Sequence, residues 1–210
     1  MGLDNRATGN FITIYDGKFT QKVPVGTKGS VSRVNKLGTT VNEMFYDRFT
    51  GKLVNIKTQD GTYGKSWIFS FKDREEVYHL QLPYSNGFAT NFLKMLPNVD
   101  VTKEMTVQPS VKEVDGKKKS SLFVNQNGVS LKHVYTRDNP NGLPPMVQIT
   151  VKGVQVWDDT EQLAFLHEMV TRDIIPKLEG FSGATAEPSG LEVGEPEVVG
   201  AGMNPDDIPF

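Results

Sequence analysis

The chain of 210 residues contains no cysteine. Disulfide frameworks, thiolate zinc sites and thiol nucleophiles are therefore excluded. No apolar run reaches the length of a membrane span. The first residues, Met1-Gly2-Leu3-Asp4-Asn5-Arg6, lack the apolar stretch of a secretory signal. Arg6 stands where an N-myristoylation signal has Ser or Thr, so Gly2 is not expected to carry a lipid. A cytoplasmic protein without membrane contact is the expectation. Histidine is also scarce. His79, His133 and His167 lie far apart, and no pair has the spacing of metal ligands on a helix. No G-x-S-x-G elbow is present. Gly64-Lys65-Ser66 ends like a phosphate-binding loop, but Gln59 occupies the position of its first glycine and a strand-like run follows. The acids Asp73, Glu75 and Glu76 read as a solvated turn. No catalytic residue, metal or cofactor is expected.

One absence is local. From Leu178 to Phe210 there is no Lys or Arg, while seven acids occur there. Residues 1–177 thus hold all 23 basic residues against 18 acidic ones, a balance of +5 hidden beneath the overall charge of −2. A basic body joined to an acidic tail suggests a polyanionic ligand, with the tail as an interaction arm. The tail mixes Gly, Pro, Ala, Ser and Glu without a period that would build a buried face, a composition that predicts disorder. Two regions follow: a folded body over 1–177 and a tail over 178–210.

The body reads mainly as strands. Phe11 to Tyr15 and Lys18 to Val23 flank Asp16-Gly17, a strong hairpin signal. Met44 to Phe49 and Lys52 to Thr58 flank Thr50-Gly51, which predicts a second hairpin. Met105 to Val114 and Lys119 to Gln126 flank Asp115-Gly116, a third. Ser66 to Phe71, Val77 to Leu82 and Val147 to Val151 add single strands. Asn86 to Leu96 predicts a helix with Phe88, Phe92 and Met95 on one side and Pro97 at its end. Asp158 and Glu161 have the spacing of a capping box, and Leu163, Leu166, Val170 and Ile174 continue a closing helix that Pro176 should stop. Many short strands with an interposed helix predict a small, partly closed β-barrel with hairpin extensions and a C-terminal helix, a β-sandwich being the alternative.

On these strands basic and aromatic residues interleave. Tyr15, Arg33, Tyr46, Arg48, Lys57, Tyr63, Lys65 and Trp67 are candidates for a face that binds single-stranded nucleic acid, with cations on phosphates and rings stacked on bases. Phe69, Tyr78, Leu80 and Ile56 are expected in the core, and Trp67 suits either place. Lys117, Lys118 and Lys119 form a basic hairpin tip, which Lys112, Lys132 and Arg137 would extend into a stripe along a phosphate backbone.

The chain finishes in Asp206-Asp207-Ile208-Pro209-Phe210 after a Gly/Pro-rich lead-in. This segment closely resembles the C-terminal tip of bacterial single-stranded DNA-binding proteins, which end in a short acidic run followed by Ile-Pro-Phe. The body more nearly resembles the divergent single-stranded DNA-binding proteins of bacteriophages. The resemblance implies an OB-fold barrel and a non-enzymatic protein that coats single-stranded DNA without sequence preference. It also implies recruitment of replication, recombination and repair proteins of a bacterial host through Asp206 to Phe210. A ring with a free carboxylate can dock in an apolar pocket with a basic rim. Homo-oligomerisation is compatible with this. The alternatives are an adaptor or recombination mediator whose body binds protein, and a metal-dependent nuclease.

Overall fold

The computed structural model describes residues 10–35, 38–114 and 116–182. Of the acidic tail expected to be disordered, residues 183–210, including Asp206 to Phe210, lie outside the described residues.

The fold is mainly β. In chain order the strands are β1 (Asn10–Tyr15), β2 (Lys18–Lys22), β3 (Val31–Val34), β4 (Thr40–Tyr46), β5 (Phe49–Gly61), β6 (Gly64–Asp73) and β7 (Glu76–Pro83). Helix α1 (Gly87–Met95) follows, and then β8 (Glu104–Val114), β9 (Lys117–Gln126), β10 (Val129–Ser130), β11 (Val147–Val151) and β12 (Val154–Asp158). Ten strands form one sheet in the order β10-β9-β8-β5-β6-β7-β1-β2-β4-β3. All neighbours are antiparallel except β1 and β7, which run parallel with Asn10 beside Tyr78 and Ile12 beside Leu80.

The sheet coils until β2 meets β8. At the β1–β2 turn a Cβ on Gly17 would stand 2.9 Å from the backbone nitrogen of Val111, and Asp16 pairs with Lys118 at 3.2 Å. No ladder joins β2 to β8 among the described residues. The result is a partly closed barrel of six strands, as expected, and not two stacked sheets.

Local sequence explains most elements. Asp16 and Gly17 adopt φ of 45° and 75°, the left-handed pair that a two-residue hairpin requires. Asn86 caps α1, its side-chain oxygen accepting from the Phe88 N–H at 2.7 Å. Phe88, Phe92, Leu93 and Met95 then face the barrel, and Phe92 packs edge-on against Phe69 at 4.9 Å. Pro97 falls in a single 3-10 turn that ends the helix. Six consecutive residues of the central strand β6, Ser66 to Phe71, are buried. Trp67, Phe69 and Phe71 lie on the core side, whereas Ile68 lies on the opposite face between Lys57 and Gln81.

Five expectations need correction. Thr50-Gly51 is no turn. It lies within β5, where a Cβ on Gly51 would stand 3.0 Å from the Phe49 ring and 3.1 Å from the Lys72 carbonyl oxygen. Glycine is used there for close packing, and the chain turns instead at Asp47-Arg48 between β4 and β5. A second strand, β12, pairs with β11 around Lys152-Gly153 in a separate two-stranded ribbon. Asp158 precedes the cap of helix α2 (Thr160–Met169), accepting from the Thr160 N–H at 3.0 Å in a local turn, and no Glu161 bond completes a capping box among the described residues. Pro176 does not stop the helix. A π-helical segment (Val170–Ile174) leads into α3 (Ile175–Ser182), with the Ile175 N–H bonded to the Val170 carbonyl. Pro176 then sits in the first turn of α3, where a missing N–H costs little. Leu178 is buried in the core, so the folded unit extends past the expected boundary at 177.

Candidate nucleic-acid interface

The turn at Asp47-Arg48 borders a concave feature of the described surface. Tyr46 ends β4 and Phe49 opens β5, so the two rings leave the turn on separate strands. Phe49 enters the barrel and meets Phe71 at 5.4 Å, Tyr78 at 5.3 Å and Phe19 at 6.4 Å. Tyr46 pairs in register with Phe19 of β2 but stays 41% exposed. Between them opens a cleft of about 280 Å³ whose floor is Ile12 and Phe19. Gln21, Thr50, Asp73 and Arg48 supply its polar lining.

The cleft's polar groups are unevenly satisfied. The Tyr46 hydroxyl donates to Gln21 Oε1 at 3.5 Å, and Thr50 Oγ1 meets Thr106 Oγ1 at 2.8 Å. Tyr78 donates its hydroxyl to the Glu76 carboxylate. That bond, with burial and the nearby acids adding to it, pushes the phenol up to about 12. The side chains of Asp73 and Arg48, which both line the cleft, have no hydrogen-bond or ion-pair partner among the described residues. An aromatic cleft with an unspent cation at its rim can accept a flat ring and hold an attached anion.

The structure separates the other candidates. Trp67 is 1% exposed, lying against Tyr84 and His167, so it belongs to the core and offers no base platform. The exposed tryptophan is Trp157, on the polar face of the β11–β12 ribbon beside Gln148. The Arg33 guanidinium lies 4.3 Å over the Tyr15 ring and bonds through Nε to the buried Glu43 carboxylate at 2.7 Å. Arg33 and Tyr15 are thus engaged with each other and with Glu43. Lys65 projects over Tyr84 at 4.8 Å, while Tyr63, in the β5–β6 turn, is half exposed. Tyr78, Phe69, Leu80 and Ile56 pack in or against the core as expected.

The basic stripe does not form. Lys118 pairs with Asp16, and Lys119 stands opposite Lys112 at the β8–β9 tip. The Lys117 side chain lies outside what is described. Lys132 and Arg137 follow the far end of β9, roughly 30 Å away at strand rise. There the Lys132 carbonyl accepts from Asn98 and Val134 bonds to Lys94 of α1.

Sequence reading missed a second platform on the outer sheet face. Phe11 on β1 packs against the His79 ring on β7 at 5.1 Å, and Ser70 meets His79 Nδ1 at 2.9 Å. Burial, and then the Lys57 ammonium, hold this imidazole below its ordinary pKa. Phe11 remains 37% exposed over that ring. The signal was the parallel partnering of β1 with β7, which no local pattern announces. Among the described residues no group of three or more His, Asp or Glu is placed to hold a metal ion. Comparison with protein-family models, curated proteins and solved structures finds no match.

Proposed function

We propose that the protein binds single-stranded DNA through the body and recruits replication, recombination and repair proteins through Asp206 to Phe210. The observation that carries this reading is the cleft, where the exposed Tyr46 ring adjoins the unpaired Arg48 guanidinium. Phe11 and Tyr63 add two further rings that are partly open to solvent. Stacking on rings tolerates any base, and cations follow the phosphates, so the bulk of the binding is indifferent to sequence. The barrel-like β body and the tip resemblance both support this reading. No catalytic step belongs to this reading.

A salt-dependent titration with labelled oligo-dT tests it. Affinity falls steeply as salt rises, because phosphate contacts release counterions. Tyr46→Ala weakens binding by about 1–3 kcal/mol without lowering the melting temperature. Binding that is absent at low salt would defeat the proposal. One observation favours the adaptor reading instead. Val147, Ile149, Val151, Val154 and Val156 share one exposed face of the β11–β12 ribbon, a surface suited to protein contact. Retention of a protein partner by a tail-deleted body that ignores oligo-dT would support that reading.

A further inference from the structure

We infer that the apolar face of the β11–β12 ribbon is covered by the same face of a second copy of this chain, in an antiparallel two-fold contact. This goes beyond the DNA reading and does not rest on it. The ribbon is a separate two-stranded sheet, and two strands alone hold together poorly in water unless something packs on them. All five residues of β11 and the first four of β12 are exposed. The ladder pairs Ile149 with Val156 and Val151 with Val154, and it sets Val147 opposite Asp158. Residues directly opposite each other share a face. Val147, Ile149, Val151, Val154 and Val156 therefore form one apolar stripe, and Trp157 lies on the other face with Gln148. The left-handed turn at Lys152-Gly153, with φ of 50° and 81°, fixes this register.

Charge selects the occupant. From Val147 to Trp157 the only charged residue is Lys152, at the tip, whereas Asp158 closes the apolar face at its base and Asp159 follows. A strand pair this poor in charge lacks the usual guard against meeting another chain. Two copies stacked tip to base bring each Lys152 over the partner's Asp158, with the apolar stripes between. Stacked tip to tip, lysine would meet lysine and acid would meet acid. Only the tip-to-base arrangement is complementary in charge as well as apolar. It is isologous and closes at two chains. Its two-fold axis crosses the middle of the ladder, so Ile149 faces the partner's Ile149. The stripe exposes on the order of a few hundred Å², less than the roughly 800 Å² per partner of a standard interface. The dimer is accordingly weak, parting in the micromolar range.

Sedimentation equilibrium of the full chain, from micromolar to submillimolar loading, gives a mass that rises toward two chains and no further. Ile149→Thr combined with Val156→Thr keeps both positions β-branched, leaves the melting temperature unchanged and holds the protein at one chain. Lys152→Glu and Asp158→Lys each weaken association about tenfold at low salt, as like charges then meet. Mixing these two variants restores it, because every cross-pair is again of opposite sign, and the restoration shows that both are folded. The native chain has no cysteine, so single thiols report the geometry. With a short bismaleimide, Ile149→Cys couples to a second copy, whereas Thr150→Cys, on the other face, does not. A single chain at every loading, a mass beyond two chains, or association that survives the double threonine variant would overturn the inference. Equal coupling through Thr150→Cys would overturn it in favour of edge-to-edge pairing. A monomer whose apolar face instead retains a different protein, lost in the double threonine variant, would assign the face to that protein and also overturn it. None of these outcomes touches the DNA reading, which the oligo-dT titration decides separately.

Discussion

The Trp67 indole lies flat against the Tyr84 ring, with centroids 5.4 Å apart and planes 9° from parallel. His167 closes the group edge-on at 5.2 Å, and the Tyr84 hydroxyl meets its Nδ1 at 3.1 Å. Strand β6, the end of β7 and helix α2 are joined at this point. Trp67→Ala should therefore cost about 3–5 kcal/mol of stability, read by urea unfolding. Trp67→Phe should cost less, because the buried indole N–H has no partner and its removal orphans nothing. Fluorescence separates the two tryptophans. Trp157→Phe should abolish the red-shifted emission that acrylamide quenches, leaving the shielded blue emission of Trp67. Emission from Trp67 that is quenched as readily as from Trp157 would refute the assignment.

Arg33 supports the fold through Glu43. Their side chains are 16% and 4% exposed, so removing the guanidinium leaves a carboxylate stranded away from water. Arg33→Ala should destabilise the protein by about 3 kcal/mol. Arg33→Ala combined with Glu43→Ala should cost less than the two single changes added together, because the double variant strands no charge. Strict additivity in urea melts would show that the pair is energetically idle.

Stability should fall on mild acidification. Burial, followed by a nearby lysine, lowers the pKa of His79 and of His167 below the ordinary value. Well above pH ~6.5 both rings are neutral in the folded and the unfolded chain and contribute no pH dependence. Below that, the unfolded chain takes up protons first, so the folded state loses ground as pH falls toward the lowered values. The melting temperature at pH 5.5 should lie below that at pH 7.5. His79→Gln should shrink the difference, and an undiminished drop in that variant would remove His79 from the account.

Deleting Asp206 to Phe210 should leave the melting temperature unchanged, since a polar, Gly/Pro-rich segment adds nothing to a core. Oligo-dT affinity should hold or rise, because two carboxylates that compete for the cations are gone. Capture of bacterial replication or repair proteins should be lost. Added salt should erase the charge effect while the loss of the Phe210 ring persists. Equal capture by the full-length and shortened proteins would show the tip to be idle.

The sequence was legible where a residue's role is decided within a few neighbours. Asp16-Gly17 dictates a turn through its left-handed dihedrals, and Asn86 dictates a helix start through its side chain. The alternation in β6 and β7 placed Phe69 and Leu80 in the core. Thr50-Gly51 misled because glycine serves two purposes, a turn or a close approach, and only the Phe49 ring and the Lys72 carbonyl decide between them. Trp67 and Trp157 both sit on alternating strands. What separates them is α2, which covers the first and leaves the second bare. Phe11 with His79, and Tyr46 with Phe49 and Asp73, are brought together by strand order, which no short-range pattern encodes. Pro176 was read as a stop because the π-helical shift that accommodates it leaves no mark in composition.

The parallel contact of β1 with β7 spans three residue pairs and is the sole hydrogen-bonded join between the β1-β2-β4-β3 strands and the rest of the described sheet. Ile12, Phe19, Gln21 and Tyr46 reach the cleft from one side of that join, and Phe49, Thr50, Asp73 and Tyr78 from the other. Anything seated in the cleft therefore acts as a rivet across the narrowest bond line of the fold. By mass action it must strengthen that line by as much as the line strengthens its own grip. Amide hydrogen exchange at Phe11 and Ile12 would then report occupancy of the cleft directly, as a slowing that grows with ligand concentration.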